Sequence, residues 1–223
     1  GHLAYRALVP QGGLPKRMRT SQVTAWLGPN LHAVQYPVRR GELQNLVVIV
    51  HGEAPDDLQN WDHSANTADL QSALAGTCSA FQDAVGAVAH SRGQWRLWPL
   101  CDRPPVAGPA DMARGLVALL GDAAHPMRPY LAQGAGMAIE DAAELQRALA
   151  MHDVDVSLRL RRYALNRWQR NARVQARSAR NGRVFPATGP VRWGRDGALR
   201  LLGERLLDVP WLYRGDSAGA SAL

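Results

Sequence analysis

The residues best suited to chemistry lie in one stretch, GDAAHPMRPYLAQGAGMAIEDAAE, from position 121 to 144. Asp122 leaves an apolar run beside Gly121, where its carboxylate can accept a hydrogen bond from a ribose hydroxyl. Gln133-Gly134-Ala135-Gly136 then enters a helical pattern with two positions that lack a Cβ, so the backbone there can approach a ligand closely. A helix that begins at this point aims free N–H groups and the positive end of its dipole at whatever lies before it. The ligand edge that fits is negative or polarisable. On spacing alone, an ordinary strand–loop–helix connection with a glycine-rich start reads the same way.

Other chemical groupings are sparser. His32 and Tyr36 are four residues apart on a strand pattern, so imidazole and phenol project from the same sheet face, and both can hydrogen-bond a phenolic or carboxylate group. His125, followed by Pro126, reads as a residue that braces its loop rather than a base. The remaining histidines have no metal-ligand spacing, and there is no HExxH or Cys/His cluster, so no metal is expected. There is no GxSxG elbow and no GxxxxGK[ST], which disfavours a hydrolase of that type and a P-loop enzyme. Cys78 and Cys101 are too few for a disulfide framework, so a reducing, cytoplasmic setting is the expectation.

The elements that must position these groups fall in two parts. Strand patterns run over residues 2–9, 23–27, 32–38 and 43–50, the last two forming a hairpin across Arg39-Arg40-Gly41. A polar loop over 52–66, short helices over 69–74 and 79–88 and a strand over 94–99 follow. Beyond a Pro-rich connection, residues 115–120 form a continuous apolar run that predicts a strand buried on both faces. Helices are predicted over 134–150, over 156–180 with Asp155 as its cap and Leu160, Tyr163 and Trp168 as its apolar stripe, and over 197–207.

The formal charge of +7 is local: residues 1–150 carry 12 basic and 13 acidic groups, and residues 151–223 carry 14 and 6. Arg161, Arg162, Arg167, Arg170, Arg173, Arg177, Arg180 and Arg183 line the long helix and read as a solvated face with some salt bridges. The alternative is a surface for nucleic acid or an acidic partner, with nucleic acid the less favoured. No run of about 18 apolar residues is present, so no membrane span is expected.

The stretch at 121–144 closely resembles the second flavin-binding motif of the single-component FAD-dependent aromatic hydroxylases, the family of salicylate and para-hydroxybenzoate hydroxylases. GHLAYRALVP, HAVQYPVRRGELQNLVVIV, QWRLWPLCDRPP before GLVALLGD, and WLYRGD follow in that family's order, so the resemblance covers most of the chain. Two family features are missing: the opening strand with its GxGxxG turn for the ADP part of FAD, and the middle DG motif. Gly134-x-Gly136 does not supply the fingerprint, because Ile139 stands where the third glycine belongs. The chain begins with Gly1 and no leader, and reads as the C-terminal half of a longer enzyme whose partner would be the missing N-terminal FAD-binding half.

The resemblance implies an α/β flavoprotein monooxygenase layout without its first strand–helix unit: a mixed-sheet substrate domain over 1–102, a returning part of the FAD-binding domain over 103–150, and a helical region over 151–223. It implies FAD as cofactor, NAD(P)H as co-substrate, and hydroxylation of a small aromatic acid or phenol by O2, with decarboxylation in salicylate-type members. Gly121 and Asp122 would hold the ribityl or ribose side of FAD, and the backbone of Gly134, Ala135, Gly136 and Met137 would meet the pyrimidine edge of its ring. Pro129, His32 and Tyr36 would bind the aromatic substrate. No catalytic residue is assigned. Arg128 departs from the family pattern, where an apolar residue is usual, so it would either make the pocket more polar or point to solvent. A chain without the ADP-binding turn is expected to retain little flavin by itself.

Overall fold

The computed structural model describes residues 1–53, 57, 63–64, 67–90, 94–206 and 208–213. The expected loop over 52–66 falls largely outside the described residues. The chain divides into two compact units, Gly1–Leu100 with Phe185–Thr188, and Cys101–Val184 with Gly189–Leu223.

The first unit is a six-stranded sheet built from β1 (His2–Pro10), β2 (Thr24–Gly28), β3 (Leu31–Val38), β4 (Leu43–His51), β5 (His63–Ser64) and β6 (Arg96–Pro99). Their order is β2-β3-β4-β1-β6-β5. Every described ladder is antiparallel, so the sheet expected as mixed is antiparallel in its described part. Alternation sorts the side chains onto two faces. Leu3, Tyr5, Ala7 and Val9 of β1 join Leu31 and Ala33 of β3 and Leu46, Val48 and Val50 of β4 in one core. That face is closed by α1 (Thr67–Ala73) and α2 (Ser79–His90), which contribute Leu70, Phe81, Val85 and Val88 to the same cluster. The opposite face carries His32 and Tyr36, across the ladder from Ile49 and Asn45. The hairpin turns at Arg39, Arg40 and Gly41, all with positive φ (49°, 57° and 90°).

In the second unit α3 (Gly134–Leu149) packs on α4 (Val156–Val184), and α5 (Gly189–Leu202) and α6 (Pro210–Tyr213) follow. Asp155 caps α4 as expected, its Oδ1 accepting the Ser157 N–H at 2.8 Å. The helix predicted over 197–207 begins earlier, at Gly189, because Pro190 sits in the first turn, where its missing N–H costs nothing.

One expectation fails here and a second holds in part. The run at 115–120 is not a strand buried on both faces: of it, Val117–Ala118 forms β8, paired in a minimal hairpin with β7 (Ala113–Arg114). Leu116 is 74% exposed and Val117 64%. A strand buried on both faces needs a layer packed on each face, and the exposure of Leu116 and Val117 shows that these are not covered here. The arginines of α4 form the expected solvated face with some salt bridges, except that the paired ones are buried. Arg161, Arg162, Arg173, Arg180 and Arg183 are exposed, but Arg167 and Arg170 are buried in ion pairs.

Candidate functional site

Gly121 opens a short 3-10 turn (Gly121–Ala123) in the left-handed region, φ 56°, where a glycine is favoured. An added Cβ would also meet the Ala138 Cβ at 3.1 Å, so the turn lies hard against α3. The Gly121 carbonyl accepts the N–H groups of Ala124 (3.0 Å) and His125 (2.9 Å), which closes the turn and leaves Asp122 exposed at its tip. The Asp122 carboxylate faces the start of α3, since a Cβ built on Gly134 would stand 3.9 Å from its Oδ1. Asp122 and Gly134, 12 positions apart in the sequence, thus form one patch.

Among the described residues, no side chain caps the α3 N-terminus. Gly134, Ala135 and Gly136 are its first three residues, whose N–H groups have no partner within a helix. Met137 differs: its N–H donates to the Gln133 carbonyl at 2.9 Å, and its side chain is fully buried beside Arg167. Free donors therefore sit at Gly134, Ala135 and Gly136. Ala132, just before, holds φ 53°, an uncommon conformation for a residue with a Cβ and a sign of local strain beside the patch.

Behind the patch is a buried polar network that reading the sequence missed. Asp141 is fully buried on α3 and accepts four hydrogen bonds: from Gly121 N–H (3.1 Å) and His125 Nε2 (2.5 Å) on Oδ2, and from Arg167 Nε (2.8 Å) and Asn171 Nδ2 (3.0 Å) on Oδ1. Burial pushes its carboxyl pKa up, but the bonds from His125, Arg167, Asn171 and the Gly121 amide outweigh that and hold it at about 2. His125 thus braces its loop, as expected. Glu140 forms a second ring, bridging Arg167 (2.9 Å) and pairing with both Nε and Nη2 of Arg170 (2.6 and 2.7 Å). Arg170 also donates to the carbonyls of Trp211 and Leu212, which ties α6 to α4.

The loop between turn and helix is clamped by α4. Gln175 donates to the Pro126 carbonyl (3.2 Å), Ser178 to that of Arg128 (2.5 Å) and Asn181 to that of Tyr130 (3.3 Å). Arg128 does not simply point to solvent: its Nε pairs with Asp102 at 2.7 Å and its guanidinium lies over the Tyr130 ring. Pro129 is exposed in this loop.

In the first unit, His32 is buried at 3% exposure, with the Phe185 ring edge-on at 5.7 Å. Burial first, and then the neighbouring His2 and His51, lower its pKa to about 4, so the ring is neutral at pH 7. Tyr36 is half-buried on the same face, opposite Asn45, whose Oδ1 accepts from Arg6 Nε at 2.9 Å. The sequence reading did not single out Asn45 or Arg6.

Residues 107–178, the span of turn, clamped loop, α3 and most of α4, match the family model for an FAD binding domain. A 3-hydroxybenzoate 6-hydroxylase of Polaromonas naphthalenivorans (strain CJ2) is 34% identical over 216 residues, 96% of this chain and 52% of the relative. Along most of its length the chain is similar to the family of FAD-dependent aromatic hydroxylases. A second hydroxylase of this family, the 3-amino-4-hydroxybenzoate 2-monooxygenase PtnB3 of Streptomyces platensis, is 37% identical over 98% of the chain and 53% of its own length. The solved structure of a salicylate hydroxylase substrate complex superposes with a TM-score of 0.78 at 27% identity, over 97% of this chain and 54% of that one. The chain spans about half the length of the hydroxylases it matches.

The residues present suit the cofactor of this family. An exposed carboxylate beside a glycine turn offers acceptors to a polyhydroxylated chain, and an uncapped helix start with no Cβ at two of three positions offers N–H donors to a polar ring edge.

Proposed function

We propose that this chain supplies the substrate domain and the flavin-ring side of an enzyme that hydroxylates a small aromatic acid or phenol with FAD, NAD(P)H and O2. The observation that carries this reading is the patch formed by the exposed Asp122 and the uncapped start of α3. Bound FAD would supply the redox chemistry and the activation of oxygen. Asp122 accepts hydrogen bonds from the ribityl or ribose-side hydroxyls. The N–H groups of Gly134, Ala135 and Gly136, with the positive end of the α3 dipole, stabilise negative charge at the pyrimidine edge of the ring. Gly121 gives that approach its turn, and Met137 anchors the helix from below.

His32 and Tyr36 are assigned to the substrate. The neutral imidazole can donate or accept, and the phenol can do both, which suits a phenolic hydroxyl or a carboxylate on an aromatic ring. Pro129 is assigned as an apolar contact to the same class of substrate. The exposed apolar run of Leu116, Val117, Leu119 and Leu120 supports a polypeptide partner, the portion of such an enzyme that carries the GxGxxG turn. Without that portion, the chain retains little flavin through gel filtration, and stoichiometric yellow flavin on the isolated chain would contradict this. With it supplied, salicylate-like compounds are expected to stimulate NAD(P)H oxidation and to yield hydroxylated product. No stimulation across a panel of phenolic and heteroaromatic acids would refute the substrate class.

A further inference from the structure

Asp141 is fully buried, so it touches no ligand, yet it is bonded to one flavin-facing segment and belongs to the other. Its Oδ2 accepts the N–H of Gly121, the residue before Asp122, and the His125 Nε2, four positions after Gly121. Its own backbone lies on α3, seven positions after Gly134. Its Oδ1 is saturated by Arg167 and Asn171 of α4. We propose that Asp141 is a positioning residue that fixes the Asp122 turn and the α3 start as one unit, so that ribityl-side acceptor and ring-side donors keep a set spacing. This rests on the flavin reading of those two segments.

The chemistry of the four donors makes the role specific. A carboxylate only accepts, and here both oxygens face two donors each. An amide in its place turns its NH2 group against a fixed donor whichever way it is oriented, the Gly121 N–H on one side or the Arg167 guanidinium on the other, so one side of the junction must open. Glu140 is the natural comparison, since it pairs with Arg167 and Arg170 in the same network and has no bond to the Gly121 turn.

The test uses the isotope-labelled chain with Asp141→Asn and Glu140→Gln, read three ways. The first readout, without flavin, is the amide shift and exchange of Gly121 and of Gly134 to Gly136. The second is the affinity for added FAD by titration of those amides, and the third is the thermal midpoint. Asp141→Asn is expected to displace both amide sets together and to weaken FAD binding about tenfold or more, as loss of a charge-assisted hydrogen bond implies. Glu140→Gln is expected to lower the midpoint while leaving the amides and the affinity within about twofold. Unmoved amides in Asp141→Asn, or an affinity that merely tracks the midpoint in both variants, would overturn the proposal. If Asp141→Asn does not fold, the double variant with Arg167→Met removes the cation from one side, so the amide oxygen can face Gly121. It should then recover the Gly121 amide position, and failure to recover it in a folded double variant also overturns the proposal. If FAD moves neither segment in the unaltered chain, the flavin reading fails, while the flavin-free amides still decide the positioning role.

Discussion

Gly182 sits inside α4 against the face of Tyr130, and replacing it with alanine separates two opposing effects. In a helix interior alanine is favoured over glycine by about 1 kcal/mol. A Cβ at 182, however, would stand 2.7 Å from Cε2 of Tyr130, 3.1 Å from Cδ2 and 3.2 Å from Cζ. The ring cannot easily withdraw. Tyr130 is 5% exposed, and the neighbouring carbonyls on its loop are held by Ser178 and Asn181. Overpacking of this kind costs about 1–3 kcal/mol, so against the propensity gain the net effect is a loss of up to about 2 kcal/mol. For a chain of this size that lowers the midpoint by about 2–4 °C per kcal/mol. Gly197→Ala in α5 is the matched control: nothing lies within 4 Å of its added Cβ, and it should raise stability by up to about 1 kcal/mol. Calorimetry of both variants gives opposite signs if the wedge exists. A Gly182→Ala midpoint that rises as Gly197→Ala does would refute the clamped-loop description.

The other expected outcomes concern pH and substrate. Asp141, held at about 2 against an ordinary 3.8, contributes stability that is present above about pH 4 and lost as pH falls through 2; this is worth about 2 kcal/mol and should be absent from acid titrations of Asp141→Asn. His32 is depressed from 6.5 to about 4, so the unfolded chain binds the extra proton between those values. The first unit should lose about 3 kcal/mol as pH falls across that window, and urea midpoints of His32→Gln should lack that part of the loss. In the enzyme with its ADP-binding portion supplied, Tyr36→Phe should raise KM for a phenolic acid about tenfold with little change in uncoupled NAD(P)H oxidation, and an unchanged KM would remove Tyr36 from the substrate site.

How much was legible depended on whether a residue's role was local. Strand alternation and turn residues located the β3–β4 hairpin because side-chain period and glycine are local signals, and Asp155 announced the start of α4 for the same reason. Asp122 and the glycine-rich start of α3 were readable from residue type and spacing. The network behind them was not. Arg167, Asn171, Gln175, Ser178 and Gly182 recur three or four residues apart along α4 and are all buried, but a polar stripe at helical spacing looks like a solvated face until its partners are known. The partners, Asp141, Pro126 and Arg128, come from segments 26–50 positions away, and no local pattern encodes those pairings. The same blindness made 115–120 look like a doubly covered strand: hydropathy reports the need for neighbours but cannot supply them. The local trace of the network is a 3.6-residue repeat of hydrogen-bonding residues within one helix.

The central claim is that the Asp122 turn and the α3 start together receive the flavin. Titrating the isotope-labelled chain with FAD and following each backbone amide tests it directly, even where binding is weak. The expected result is a saturable shift confined mainly to Asp122 and its neighbours and to Gly134, Ala135 and Gly136, lost for the turn in Asp122→Ala. Saturable shifts elsewhere with these amides unmoved, or no saturable shift at any concentration of FAD, would contradict it.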